Sequence, residues 1–123
     1  MALRRLGARS VGTTFWFQGS VLTNPADLTI VVDTGPMTAG NYLLSMLAAG
    51  SVAVVYDWQH RDASNTSTLH SQRRRWASGP IDDLFGNDIA LASGERIRII
   101  LQGAIVGEFQ GSIFAKEVEA VTP

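Results

Sequence analysis

The stretch from Ala90 to Val118, ALASGERIRIILQGAIVGEFQGSIFAKEV, constrains the fold more than any other part of the chain. Within it Ile97, Ile99 and Leu101 alternate with Arg96, Arg98 and the ambiguous Ile100, and a period of two puts one set of side chains on one face of a strand. One apolar face and one charged face suit an antiparallel sheet with water on one side. Ser93-Gly94 supplies a turn ahead of this strand, and Gly103, Gly107 and Gly111 follow at spacings that leave no room for helices. The segment predicts two or three antiparallel strands of a β-sandwich. It offers no catalytic motif, so a scaffold or binding role is the first expectation.

The rest of the chain reads in the same way. Val11 to Phe17 is rich in β-branched and aromatic residues and opens the sheet, with Gly19 and Ser20 ending or kinking it. Thr23-Asn24-Pro25 reads as a turn, Leu28 to Asp33 as a second strand, and Thr34-Gly35-Pro36 as a chain reversal. Leu43 to Ala48 would also suit a short amphipathic helix, but Gly40 and Gly50 bracket a span of strand length, and a strand is predicted. Val52 to Trp58 is the clearest strand. The polar run from Gln59 to Trp76 is expected to form a surface excursion with some pairing. Gly79-Pro80 marks a break, Ile81 to Asn87 reads as a loop or one helical turn, and Asp88 to Leu91 returns to the sheet. About eight strands result, the count of a jelly roll. The predicted fold is all-β, one antiparallel jelly-roll β-sandwich over residues 11–123 after a short arm over residues 1–10.

A chain of 123 residues can bury a core without disulfides or a metal. Hydrophobic residues make up 46% of it and charged residues 17%, which predicts that some apolar surface is covered by other subunits. A formal net charge of -1 provides no global attraction to nucleic acid or anionic membrane, so a basic contact has to be local. The absence of cysteine excludes a disulfide framework, a thiolate metal site and a cysteine nucleophile, and suits assembly in a reducing cytoplasm. The start MALRRLGARSVG lacks the apolar run of a signal peptide, and Gly50-Ser51 breaks the longest apolar stretches well short of a membrane span. No membrane partner is expected.

Candidate chemistry is sparse. His60 and His70 stand ten positions apart, not as the closely spaced pair that would put two imidazoles on one cation. His60 is expected to hydrogen-bond in a loop and His70 to be exposed, although at an interface either could act as a pH-sensitive contact. Asp82, Asp83, Asn87 and Asp88 lack the ligand alternation of a calcium loop. No serine sits in a nucleophile elbow, and no glycine-rich turn ends in lysine and opens a helix. No enzyme activity, cofactor or metal is expected.

Arg73-Arg74-Arg75-Trp76 is the sharpest local signal, because three guanidinium groups beside an indole can bind phosphates, stack on bases or grip an acidic protein surface. On a strand Arg73 and Arg75 share one face while Arg74 and Trp76 share the other, so only part of the patch acts together. Arginine and tryptophan are enriched at interface hot spots, and arginine accounts for all but one of the basic residues here. Protein is favoured over nucleic acid as the partner.

Taken in order, MTAGNYLLSMLAAG, SVAVVYDWQHRDASNTSTLH, IALASGERIRIILQ and GEFQGSIFAKEV, spanning Met37 to Val118, resemble the small jelly-roll decoration, or cement, proteins of tailed bacteriophage capsids. The resemblance rests most on YDWQHRDASNTSTLH, in which a strand ending in an aromatic runs into His60-Arg61-Asp62-Ala63 and Asn65, and on the later Leu91-Ala92-Ser93-Gly94-Glu95-Arg96. The Gly40-Asn41-Tyr42 strand, the Ser93-Gly94-Glu95 turn and the terminal Phe109-Gln110-Gly111-Ser112-Ile113-Phe114 are also similar to trimeric jelly rolls of the complement and tumour-necrosis-factor type. Alternation would put Phe109 and Ile113 on one face and Phe114 on the other, unless a bulge at Gly111 realigns them.

The resemblance implies a virion protein, made in the host cytoplasm, that forms a homodimer or homotrimer and binds the major capsid protein on the outer capsid surface. It implies that the arm reaches a neighbouring subunit. The candidate interface residues are Arg4, Arg5 and Arg9 in the arm, Trp58, His60 and Arg61 at the end of the clearest strand, and Arg73, Arg74, Arg75 and Trp76. The alternatives are a carbohydrate- or receptor-binding module of a spike or fibre tip, with Trp58 or Trp76 stacked on a sugar, and a small cupin-like enzyme related to sugar-nucleotide isomerases.

Overall fold

Alternation of apolar and polar side chains runs through most of the chain, and the structure answers it with strands. A computed structural model describes residues 10–76, 81–84 and 89–118, with side chains over 14–75 and 89–118. The strands are β1 (Ser10–Gln18), β2 (Leu22–Thr23), β3 (Ile30–Asp33), β4 (Gly40–Gly50), β5 (Val54–Arg61), β6 (Thr68–Trp76), β7 (Ile81–Leu84), β8 (Ile89–Leu91), β9 (Arg96–Leu101) and β10 (Glu108–Val118), and the described residues contain no helix. The first sheet runs β1-β10-β4-β7, with β2 also on β10 and β8 also on β4, and the second runs β3-β9-β5-β6. Every pairing is antiparallel.

Strands β7 and β8 pair with successive parts of β4, Ser45 to Ala48 and Gly40 to Tyr42, and so act as one interrupted edge strand. With β2 a short stub on β10, the architecture reduces to the expected eight strands. The β5–β6 hairpin stays within one sheet, whereas the chain changes sheet between β3 and β4, β4 and β5, β6 and β7, β8 and β9, and β9 and β10. Repeated crossing between two antiparallel sheets is the jelly-roll arrangement of the sandwich.

The core is the set of inward positions this alternation selects. Tyr42, Leu44 and Met46 of β4, Tyr56 and Trp58 of β5, Ile97, Ile99 and Leu101 of β9, and Phe109 and Ile113 of β10 are fully buried between the sheets. Gly111 lies inward among them, and a Cβ added there would stand 3.1 Å from both Met46 Cε and Val31 Cγ1. A side chain is admitted there only as far as the Met46 and Val31 side chains give by a few tenths of an ångström. Pairing of β10 with β4 is continuous from Phe109 to Val118, so no bulge realigns Gly111, and Phe114 faces outward as plain alternation dictates. At the β8–β9 turn the Glu95 N–H donates to Ala92 O across Ser93-Gly94, and Gly94 adopts a φ of 88° that a side chain would strain.

Three expectations need correction. The second strand begins at Ile30, because Leu28 has a φ of 65° and the Thr29 N–H donates to Ala26 O in a turn. The polar run after Trp58 is no excursion. It completes β5, reverses over residues 62–67 and returns as β6. The reversal is closed by the Asp62 carboxylate, which accepts from the Thr66 N–H at 2.8 Å, the Thr66 hydroxyl at 3.0 Å and the Ser67 N–H at 3.2 Å. Those bonds, the Thr66 backbone first, hold its carboxyl below the usual aspartate range. Finally, Ile81 to Leu84 is a strand, not a loop or helical turn, because it pairs with β4. The expected break at Gly79-Pro80 lies outside the described residues, as do Asn87 and Asp88.

Candidate functional site

Register across the second sheet gathers arginine on its outer face. Inward Tyr56 and Trp58 alternate on β5 with outward Val55, Asp57, Gln59 and Arg61. Cross-strand pairing sets Arg75 beside Val55 and Arg73 beside Asp57 from β6, and Arg98 beside Gln59 and Arg96 beside Arg61 from β9. On the far side β3 sets Asp33 beside Arg98. Five of the chain's nine arginines therefore share one face with two aspartates, Asp33 and Asp57. The global charge of -1 conceals this local surplus.

The cations are held to very different degrees. Arg73 makes a bidentate contact with Asp57, Nε to Oδ1 at 2.9 Å and Nη2 to Oδ2 at 3.2 Å, which raises its pKa, hydrogen bonding first and charge second. Gln102 Nε2 donates to the same carboxylate at 2.7 Å, so the buried Asp57 has its oxygens occupied. Arg61 spends its whole guanidinium on the hairpin, Nε to Asn65 Oδ1 at 2.9 Å, Nη2 to Asn65 O at 2.8 Å and Nη1 to Thr68 Oγ1 at 2.8 Å. Arg98 donates Nε to Gln59 Oε1 at 2.7 Å. Arg96 makes one long contact, Nη1 to Asp33 Oδ2 at 3.5 Å, and its buried Nε has no hydrogen-bond partner.

The residues singled out in the sequence fall in several places. Arg73 and Arg75 face outward together and Arg74 falls on the opposite side of β6 with Nη2 on Gln72 Oε1, as strand alternation requires. Trp76 pairs with Val54, and its side chain lies outside the described residues. Arg4, Arg5 and Arg9 also lie outside them. Arg61 joins the outer face. Trp58 does not belong to a surface. It shares parity with Val54 and Tyr56 and is fully buried between the sheets, so it can neither touch a partner nor stack on a sugar in this fold. His60 faces the same way and is buried at one end of the sandwich, with Nε2 2.8 Å from Glu95 Oε1. Glu95 Oε1 also accepts from the Ala92 N–H at 2.9 Å, and these two bonds, the backbone one first, pull its pKa below the usual glutamate range. That places His60 in a strand, not in the loop its neighbours suggested, while His70 is exposed.

The outer face of the first sheet has the opposite chemistry. Trp16 of β1, Phe114 of β10 and Ser45 of β4 stand in one cross-strand row, with Gln18, Ser112 and Leu47 in the next. Trp16 and Phe114 stack at 6.0 Å with rings 12° from parallel, yet they remain 60% and 46% exposed, and Leu47 is 52% exposed. Lys116 at one end of the face and the exposed Glu108 at the other are its charged members among the described residues of β1, β4 and β10.

Arg96, Arg98, Trp16 and Phe114 were absent from the sequence candidates. The i, i+2 spacing of Arg96 and Arg98 already put them on one face, but their alignment with Arg61 needed the register of β5 on β9. Among the described residues no group of three or more histidine, aspartate or glutamate side chains is placed to hold a metal ion. No helix among them is long and apolar enough to cross a membrane. No protein-family model matches the chain, and no curated protein matches it.

Proposed function

We propose that this protein is a capsid decoration protein, a homo-oligomeric jelly roll that binds the outside of a bacteriophage shell and stabilises it without chemistry of its own. One observation carries the reading, the contrast between the two outer faces of the sandwich. The Trp16–Phe114 face exposes aromatic and aliphatic surface with Lys116 and Glu108 at its two ends, and a second copy covers its middle without desolvating many charges. A stable interface needs roughly 800 Å² per partner, and apolar burial contributes about 25 cal/mol per Å² before the entropy of association is subtracted. The arginine face is then left to meet an acidic shell, where planar guanidinium groups match carboxylates. The sequence resemblance to phage decoration proteins supplies the identity of that shell.

The test is light scattering on the purified protein, followed by co-sedimentation with capsids stripped of accessory proteins. A dimer or trimer that saturates capsids at a fixed ratio is the expected result. A monomer that stays in the supernatant would reject the reading. A glycan-binding module is the second reading, favoured by the flat exposed Trp16–Phe114 stack with Thr14, Gln18 and Ser45 as polar neighbours on the same face. Binding on a glycan array that is lost in Trp16→Ala, with no capsid binding, would favour it.

A further inference from the structure

The middle of the arginine face contains an imbalance that the fold does not resolve. Arg61 and Arg96 stand directly opposite each other on β5 and β9, an arrangement that like charges disfavour in a sheet, and Arg98 lies on the same face beside them. Among the described residues Asp33 is the carboxylate in reach of this trio, and it answers only part of its charge, since its Oδ1 accepts from the Gly35 N–H at 2.8 Å and its Oδ2 makes a single long ion pair with Arg96 Nη1 at 3.5 Å. The Arg96 side chain is 20% exposed, and its buried Nε has no acceptor. Arg98 commits Nε to Gln59, and no other bond is made by its guanidinium among the described residues. Burial first, then the charge of Arg61, pull the Arg98 pKa down, with Arg96 adding to the effect and Asp33 opposing it. Arg61 is pinned by three hydrogen bonds and cannot swing away.

We propose that Arg96 and Arg98, backed by the fixed charge of Arg61, form a carboxylate-binding site on the outer face of the second sheet, which receives an acidic side chain of a docking protein. The proposal deepens the capsid-binding reading and rests on it for the source of the carboxylate. A carboxylate seated there gives Arg98 Nη an acceptor and balances the excess charge, with a planar fork that suits a two-oxygen acceptor. Nucleic acid fits less well. Among the described side chains the exposed aromatics on which bases would stack, Trp16 and Phe114, lie on the opposite sheet, and Asp33 and Asp57 interrupt the track a polyphosphate backbone would follow.

The experiment is calorimetric titration of the full chain with a hexaglutamate peptide at fixed salt, comparing wild type with Arg98→Gln, Arg98→Lys and Arg96→Gln. Lys116→Gln, on the other sheet, removes the same charge and serves as the control. The expected result is a loss of about tenfold or more in peptide affinity for Arg98→Gln and Arg96→Gln, and a several-fold loss for Arg98→Lys, which keeps the charge but not the fork. Lys116→Gln should change affinity by less than about twofold. Circular dichroism checks that each variant is folded, and Arg98→Lys carries the comparison should a glutamine variant fail that check. Equal weakening by Lys116→Gln and Arg98→Gln would reduce the effect to net charge and overturn the site, as would tighter binding of a single-stranded oligonucleotide than of the peptide. Peptide binding without capsid binding would retain the site and reject the capsid. Capsid binding that survives Arg98→Gln undiminished would do the reverse.

Discussion

Glu95 and Trp58 show how much a single side chain's surroundings decide. Glu95 ties the β8–β9 turn to the end of β5 by accepting from Ala92 N–H and bonding His60, and its folded pKa is lowered. A carboxylate whose pKa is depressed by folding contributes stability above its unfolded value of 4.5, and that contribution is lost as pH falls through the folded value. Glu95→Gln should therefore lower Tm at neutral pH, and its deficit against wild type should shrink as the pH is taken below 4.5, followed by thermal melts across that range. A deficit that stays constant would mean that the carboxylate's charge is not what matters. Trp58→Ala empties the largest fully buried side chain and should cost about 3–5 kcal/mol in denaturant melts, where a surface contact would cost almost nothing. The sequence held the parity that puts Trp58 with Val54 and Tyr56 inside. Its aromatic character and its place before a polar run suggested an interface instead, and burial won because an indole fills the middle of a sandwich better than any neighbour.

Period-two alternation was legible at the level of single elements, while pairing partners were not. β9 and β10 were readable from the Ile97, Ile99, Leu101 and Phe109, Ile113 series. The helix-like run at Leu43 to Ala48 resolves into a strand with Leu44, Met46 and Ala48 inward, because β10 and the β7–β8 edge occupy both of its sides. β6 was legible only as an excursion with some pairing because its residues are polar on both faces, and what fixes it is remote from its own composition, the Asp62 loop and the Arg73–Asp57 pair. Two variants test elements directly. Gly111→Ala puts a methyl 3.1 Å from Met46 Cε and Val31 Cγ1 and should cost about 1 kcal/mol in denaturant melts, at the low end for overpacking, since those two side chains have to give by a few tenths of an ångström. Trp16→Glu with Phe114→Glu on β1 and β10 should leave the β-sheet circular dichroism intact and convert the proposed oligomer to monomer by light scattering. Retention of the wild-type mass would place self-association elsewhere.

For the whole molecule, the division of chemistry between the two outer faces makes salt a means of separating their roles. The proposed attachment through the arginine face would be driven by charge across a solvated interface, and the screening length shrinks from about 14 Å near 0.05 M salt to about 4 Å near 0.5 M. The proposed self-association through the Trp16–Phe114 face would remove apolar area from water, with charge only at its ends in Lys116 and Glu108, so the same change should leave it intact. Raising salt over that range should release the protein from capsids in sedimentation while its mass by light scattering stays that of the oligomer. Sulfate should hold the oligomer together more firmly than chloride does, because excluded salts strengthen apolar burial. The opposite pattern, an oligomer that dissociates in salt while capsid attachment persists, would exchange the roles of the two faces. The Trp16–Phe114 stack would then be the surface that meets the shell, and the arginines the contacts between copies.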